Sequence, residues 1–314
     1  MKRLNNELFD RISNIENLRE AHKNARKGKT HYAEVKMVDK NLDFYLNKIK
    51  LMLEEDAYQV SKYRVKKIFD KTKEREIFIL PYFPDRIIQW AVMLQIRDRI
   101  ERNLISSTYA SIPNRGIHNA LNKMDKDIRK ENPVYYLKLD VRKFYPSIDK
   151  EILKLKVSRV IKCKRTLGLI FKIIDSVENG IPIGNYLSQY LGNLYLSDLD
   201  HYCKEKLKCK MYYRYMDDIV ILNKDKKILH EILSEIKMFL EKEKLELKQN
   251  YRISIIEKEG IDFLGFRHFG DKIILRKSIK NKLKTMTPKN IGSYYGWIIP
   301  TDCNILKYKY FKEV

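Results

Sequence analysis

Met211-Tyr212-Tyr213-Arg214-Tyr215-Met216-Asp217-Asp218-Ile219-Val220-Ile221-Leu222 sets two adjacent carboxylates between two runs rich in apolar and aromatic residues. Runs of this composition read as β-strands, so the acidic pair belongs at the tight turn of a hairpin. Adjacent like charges are costly to bury, and a bound divalent cation offsets that cost.

Such a centre needs a further carboxylate from elsewhere in the chain. Val134-Tyr135-Tyr136-Leu137-Lys138-Leu139-Asp140-Val141 reads as a strand ending in an acid. Asp140 lies 77 residues before Asp217, so only the fold can unite them. Taken alone, Asp140 also reads as a helix N-cap or a solvated strand end. Five residues beyond it stands Tyr145, next to Phe144, which reads as a core aromatic. Residues 180–189, with Gly180, Ile183, Gly184 and Gln189, are loop-like, and residues 190–196 have the apolar spacing of a buried helix. Gly184 would let the backbone come close to a template or an incoming base.

Tyr215-Met216-Asp217-Asp218, the acid at 140 with an aromatic five residues on, and the glycine loop before a helix together resemble the palm of the prokaryotic reverse transcriptases. Most of those enzymes carry Gln-Gly and later Ser-Pro in the loop. Here the positions read Ile183-Gly184 and Ser188-Gln189, a variant similar to the reverse transcriptases of diversity-generating retroelements. The resemblance implies an α+β right-hand polymerase. Residues 1–133 would form an N-terminal extension and fingers, 134–270 a palm of antiparallel sheet backed by helices, and 271–314 a short, basic, helical thumb. It implies Asp140, Asp217 and Asp218 as catalytic residues holding two Mg²⁺ ions, with Mn²⁺ as an alternative and the Val141 carbonyl as a further ligand. Two such ions, about 3.5–4 Å apart, would activate a primer 3′-hydroxyl and stabilise leaving pyrophosphate.

The same resemblance assigns Lys73, Arg75, Phe144, Tyr145, Ile183, Gly184, Gln189 and Lys248 to the nucleotide. Tyr145 would crowd the sugar 2′ carbon and exclude ribonucleotides. Arg75 suits triphosphate oxygens better than Lys73, because a guanidinium fork matches them; an ordinary solvated strand charge is the alternative. Tyr215, Met216, Phe263, Leu264, Gly265, Lys277, Lys280 and Lys284 would meet template and primer. A plain core strand with a close-packed Gly265 is the alternative for 263–266. The implied partners are an RNA template, nascent cDNA and deoxynucleoside triphosphates, with a small helical accessory protein and a structured noncoding RNA. The retroelement type copies RNA with errors concentrated at adenines.

Composition agrees. The 314 residues carry 64 Lys+Arg against 41 Asp+Glu, a formal net charge of +23, which favours a polyanion partner. Residues 272–301 hold seven basic residues and no acid, followed closely by Tyr294, Tyr295 and Trp297 within the same stretch. Such an element suits the backbone of an A-form hybrid; a solvated helix face over a small aromatic core, Trp297 included, is the bland alternative. Residues 224–248 read as one amphipathic helix with Ile228, Leu229, Ile232, Leu233, Ile236, Phe239 and Leu240 on its buried stripe. His118 reads as structural.

Apolar runs are too short to span a bilayer, and the first residues lack an apolar signal core. Cys163, Cys203, Cys209 and Cys303 have no zinc-ligand spacing, so a reducing cytoplasm, bacterial or of phage-encoded origin, is the expected setting. Little chain follows the thumb segment, which disfavours an RNase H, maturase or endonuclease domain. No Val-Thr-Gly stands near the thumb, where retron enzymes usually carry one. The rivals are a related antiphage-defence reverse transcriptase and an idle nucleic-acid-binding module with a polymerase fold.

Overall fold

The structure is a computed structural model that describes residues 7–311, apart from residues 71 and 72 and the side chains of 68–75. The chain forms two compact units, each built from two stretches: Met1–Leu104 with Lys143–Asp198, and Ile105–Arg142 with Leu199–Val314.

The first unit opens with helices α1 (Leu8–Ser13), α2 (Ile15–Ala25), α3 (Ala33–Lys40) and α4 (Leu42–Glu54), then an antiparallel ribbon of β1 (Arg64–Asp70) and β2 (Lys73–Ile79), then α5 (Ile87–Glu101). Asn14 caps α2 by accepting from the Glu16 N–H at 2.8 Å. Apolar residues recur on several sides of α5, so it is buried, with Ile88, Val92 and Ile96 fully enclosed, and α1 and α2 pack on it.

The chain enters the second unit through α6 (Ile117–Glu131) and β3 (Tyr135–Asp140). Ala120, Leu121, Met124 and Ile128 form the buried stripe of α6, which ends on Asn132 in the left-handed conformation. It returns to the first unit for α7 (Phe144–Ser147), α8 (Lys150–Val160), α9 (Lys164–Ile174) and α10 (Tyr186–Tyr195). The α10 helix starts inside the segment that the sequence pattern leaves as loop. Leu187 extends the stripe of Tyr190, Leu191 and Leu194 backwards by one turn, and Tyr186 stacks on Trp90 at 4.1 Å.

After α11 (Ser197–His201) come β4 (Met211–Tyr215), β5 (Asp218–Asn223), α12 (Lys226–Lys242), β6 (Arg252–Ile255), α13 (Ile256–Glu259), β7 (Ile261–Phe263), β8 (Phe266–His268), β9 (Ile273–Leu275), α14 (Lys277–Leu283), α15 (Ile291–Ile298) and α16 (Asn304–Phe311). The central sheet is antiparallel with order β4-β5-β3-β6, and a smaller sheet has order β7-β8-β9. Partners across an antiparallel sheet share a face. Asp140, Asp218 and Tyr215 are therefore aligned on one face, and Leu139, Ile219 and Arg214 on the other.

Helix α12 is shorter than the pattern predicts. Asp225 caps its start, it stops at Lys242, and Lys244 turns left-handed. Leu245 and Leu247 then turn inward, and residues 246–248 run beside the end of β3. Ile228 is 41% exposed, so the buried stripe starts at Leu229. Phe266 of β8, Ile273 and Leu275 of β9, Leu121 of α6, and Leu283, Ile298 and Phe311 form a second, small core, with Trp297 packed against it.

Candidate active site

Tyr215 pairs with Asp218, so β4 and β5 are joined by a two-residue turn, Met216-Asp217. Met216 has φ 55°, a conformation that bulky residues rarely hold. Both turn carbonyls are held: Arg214 Nη1 donates to that of Met216 at 3.0 Å, and the Val141 N–H donates to that of Asp217 at 3.4 Å. Asp140, at the end of β3, faces Asp218 across the sheet. The Val141 N–H bond to the Asp217 carbonyl brings the turn alongside the end of β3, so Asp217 is a close electrostatic neighbour of Asp140.

Burial, and then the Asp140 carboxylate, push Asp217 up to about 7. Burial likewise pushes Asp218 up to about 6, against the opposing pull of Lys138. Two ammonium groups balance the acids. Lys248 Nζ sits 2.5 Å from Asp140 Oδ2, and Lys138 Nζ sits 3.4 Å from Asp218 Oδ2 while donating to the Asp262 carbonyl. The Lys248 N–H also donates to the Asp140 carbonyl at 2.8 Å, so the strand-like segment 246–248 delivers this cation.

The residues fit a hard divalent cation. Asp140 Oδ1 and Asp218 Oδ1 are buried without a hydrogen-bond partner. Lys248 supplies positive charge where an ion would sit. Among the described residues, no three His, Cys, Asp or Glu side chains form a ligand cluster. Asp140 stands opposite Asp218 with Asp217 next to it on the turn, and Lys138 flanks Asp218. One or two carboxylates completed by substrate phosphates is the composition Mg²⁺ accepts.

Stability should follow the same charges. Between about pH 4 and pH 7 the folded protein keeps protons at Asp217 and Asp218 that the unfolded chain has released. Their contribution therefore falls as pH rises through that window and levels off above it. A cation that needs both carboxylates ionised should raise Tm more at pH 8 than at pH 5, read by thermal melts with and without Mn²⁺. Equal increments would place the ion elsewhere.

The other expected residues fall in both units. In the second, Val141 is buried and Tyr215 and Met216 are half-buried. Phe263 pairs with Phe266 around a two-residue turn, Leu264-Gly265, with φ 52° and 91°. A Cβ on Gly265 would lie 2.4 Å from Ile279 Cδ1 and 2.6 Å from the Trp297 ring, so close packing accounts for this glycine. Lys277, Lys280 and Lys284 are exposed at helical spacing on and just beyond α14. In the first unit, Phe144 is a core residue at 3% exposure, while Tyr145 and Gln189 are half-buried. The Ile183 carbonyl accepts from the Phe78 N–H at 2.9 Å. A Cβ on Gly184, at φ 112°, would stand 2.9 Å from the Phe78 carbonyl, so the backbone that closely approaches this glycine is that of β2. The side chains of Lys73 and Arg75 lie outside the described residues; their backbone belongs to β2.

Several residues escaped the sequence reading. Lys138 shares a sheet face with Asp140, two positions along an otherwise apolar and aromatic strand. Arg214 is fully buried in β4 and grips Asp200 of α11 with two bonds of 2.6 Å. Asp200 also accepts from Thr108 Oγ1 at 2.9 Å and from the Tyr212 hydroxyl at 2.7 Å. A charged residue inside a buried strand announces a partner, because isolated burial is prohibitive. Nothing local identifies that partner as Asp200.

An antiparallel sheet that presents paired carboxylates at a hairpin turn defines a right-hand polymerase palm, and the chain belongs to the reverse transcriptase (RNA-dependent DNA polymerase) family, whose model matches residues 65–268. Among curated proteins it is similar to the retron Ec73 reverse transcriptase of Escherichia coli, at 27% identity over 73% of this chain and 81% of that protein. It also resembles protein YkfC of Escherichia coli K12, at 23% identity over 40% of this chain and 37% of that protein. Among solved structures it resembles telomerase from Candida albicans in complex with a fragment of telomeric RNA (TM-score 0.56, 13% identity, 82% of this chain, 53% of that one). Apo telomerase from Candida tropicalis is similar (TM-score 0.56, 14% identity, 76% and 53%). The chain thus spans about half the length of the telomerases and about a third of YkfC. Among the described residues, no helix is long and apolar enough to cross a membrane.

Proposed function

We propose that the protein is an RNA-directed DNA polymerase that makes cDNA, with residues 1–133 as N-terminal extension and fingers, 134–270 as palm with helical insertions and 271–314 as a short basic thumb. The observation that carries this reading is Asp140 set across the sheet from the Asp217-Asp218 hairpin turn, with Asp140 Oδ1 and Asp218 Oδ1 buried and without hydrogen-bond partners. Asp140 and Asp217 would hold divalent ions, preferably two Mg²⁺, with the Val141 carbonyl as a further donor and Asp218 as support. When bound, such ions lower the pKa of a hydroxyl nucleophile and neutralise the leaving group. Lys248 moves from Asp140 toward the pyrophosphate side. Arg75 and Lys73 meet the triphosphate. Tyr145, by its five-residue offset from Asp140, excludes a 2′-hydroxyl. Phe263, Leu264 and Gly265 support the primer end, and Lys277, Lys280 and Lys284 track the backbone of the hybrid.

The retroelement reading rests on Ile183, where most relatives of this palm carry Gln. An apolar side chain cannot hydrogen-bond near the new base pair, so correct and incorrect pairs differ less in transition-state free energy. Each ~1.4 kcal/mol lost from that difference raises error about tenfold. The protein therefore copies RNA with low fidelity, worst opposite adenine as the resemblance to diversity-generating retroelement enzymes implies, and Ile183→Gln recovers part of the discrimination. Deep sequencing of cDNA made by both forms on one RNA checks this. Adenine copied as faithfully as the other bases would sink the retroelement role. It would favour the retron-like reading that the similarity to a retron enzyme supports, or a defence enzyme.

A further inference from the structure

The Met216-Asp217 turn carries a load. Its Asp217 carbonyl is tied to the Val141 N–H beside Asp140, and Met216 is left-handed. Such a turn relaxes by moving the two acids apart unless something holds it. The Val141 N–H bond to the Asp217 carbonyl is long, at 3.4 Å. The shorter hold is Arg214 Nη1 on the Met216 carbonyl, at 3.0 Å.

Arg214 is itself fixed from every direction. Its Nε and Nη2 are forked onto Asp200 at 2.6 Å each. Its N–H donates to the Ser107 carbonyl and its carbonyl accepts from the Tyr109 N–H, both at 3.0 Å. Asp200 is fully buried and accepts from Thr108 and Tyr212 as well. A buried ion pair is weak as a source of stability, since desolvation cancels much of the attraction. It is strong as a device for fixing geometry. Arg214 pairs with Ile219 and so lies on the sheet face opposite Asp218 and Asp140. It acts on the site only through the turn.

We infer that Asp200 and Arg214 are positioning residues: the Asp200 carboxylate locks the guanidinium, and the guanidinium holds the Met216 carbonyl so that Asp217 stays against Asp140. This rests on the polymerase reading for its kinetic consequence but not for its effect on cation binding. Arg214→Lys keeps a cation beside Asp200 while losing the planar fork that also reaches Met216. Thr108→Val removes one donor to Asp200 and leaves that fork intact, so it serves as the control for lost stability.

The experiment measures Mn²⁺ affinity by electron paramagnetic resonance, Tm, and primer-extension kcat and KM, for parent and both variants. In Arg214→Lys the Mn²⁺ dissociation constant rises about tenfold, and kcat falls about a hundredfold while KM for deoxynucleotide stays within about threefold. In Thr108→Val only Tm falls. Parental Mn²⁺ affinity and kcat in Arg214→Lys overturn the proposal, as do losses that match those of Thr108→Val. Should Arg214→Lys fail to fold, Asp200→Asn/Arg214→Gln removes both buried charges and is read the same way, with parental Mn²⁺ affinity overturning the proposal. A parent that binds Mn²⁺ but extends no primer sinks the polymerase reading. Weakened Mn²⁺ binding in Arg214→Lys would still uphold the positioning role.

Discussion

Asp217→Asn yields a folded protein whose primer extension falls by about a thousandfold or more, equivalent to ~4 kcal/mol of transition-state stabilisation. The amide removes a charge from the pair that would hold the catalytic ions, and its neutral NH₂ cannot serve as a ligand. Stability should move the other way. Asp217 sits pushed up to about 7 by burial and by Asp140, so at pH 8 the ionised parent carries a repulsion that the variant lacks. Tm of the variant at pH 8, without metal, should equal or exceed that of the parent. Loss of rate with preserved Tm separates chemistry from folding. Near-parental extension would remove Asp217 from the ion site.

Gly180→Ala should have the largest effect on the first unit. Gly180 has φ 62°, and a Cβ there would stand 2.0 Å from the Tyr145 carbonyl and 2.6 Å from Pro146 Cα. Those are backbone atoms, and the Ile181 N–H already donates to the Tyr145 carbonyl at 3.1 Å, so neither segment can yield without breaking the other. Overpacking costs about 1–3 kcal/mol or more and the left-handed backbone about 1–2, enough to lower Tm by about 10 °C. If Tyr145 gates the sugar, displacing its backbone also raises ribonucleotide incorporation relative to deoxynucleotide. Calorimetry and a paired-nucleotide incorporation assay read both outcomes. An unchanged Tm would contradict the packing described for this loop.

The acidic hairpin was legible in the sequence because its signals are local. Continuous apolar and aromatic runs mark β4 and β5, and two adjacent acids interrupt them at the turn. The strand ending at Asp140 was legible for the same reason. That Asp140 joins the acidic turn 77 residues on was implied by the resemblance alone; the register of the sheet, which sets it opposite Asp218, decides it. The end of α12 falls before residue 248 because Lys244 turns left-handed and Leu245 and Leu247 leave the helix to turn inward. Gly184 and Gly265 stood out, but sequence could not say what approaches them: a β2 carbonyl in one case, Ile279 and Trp297 in the other. Lys138 looked like an ordinary charge and Lys248 was assigned to the nucleotide by the resemblance alone; only the fold shows each against a carboxylate. The Asp200–Arg214 couple depends on α11 lying under β4, which no spacing predicts.

The central claim is RNA-directed DNA synthesis at the Asp140–Asp217 pair. Its most direct test incubates the purified protein with an RNA template, an annealed primer, deoxynucleoside triphosphates and Mg²⁺, and sequences the product. The account predicts DNA complementary to the RNA, absent when template or Mg²⁺ is omitted and absent with Asp217→Asn. Product that forms equally without template, or no extension under conditions where the protein is folded and binds the hybrid, would contradict it.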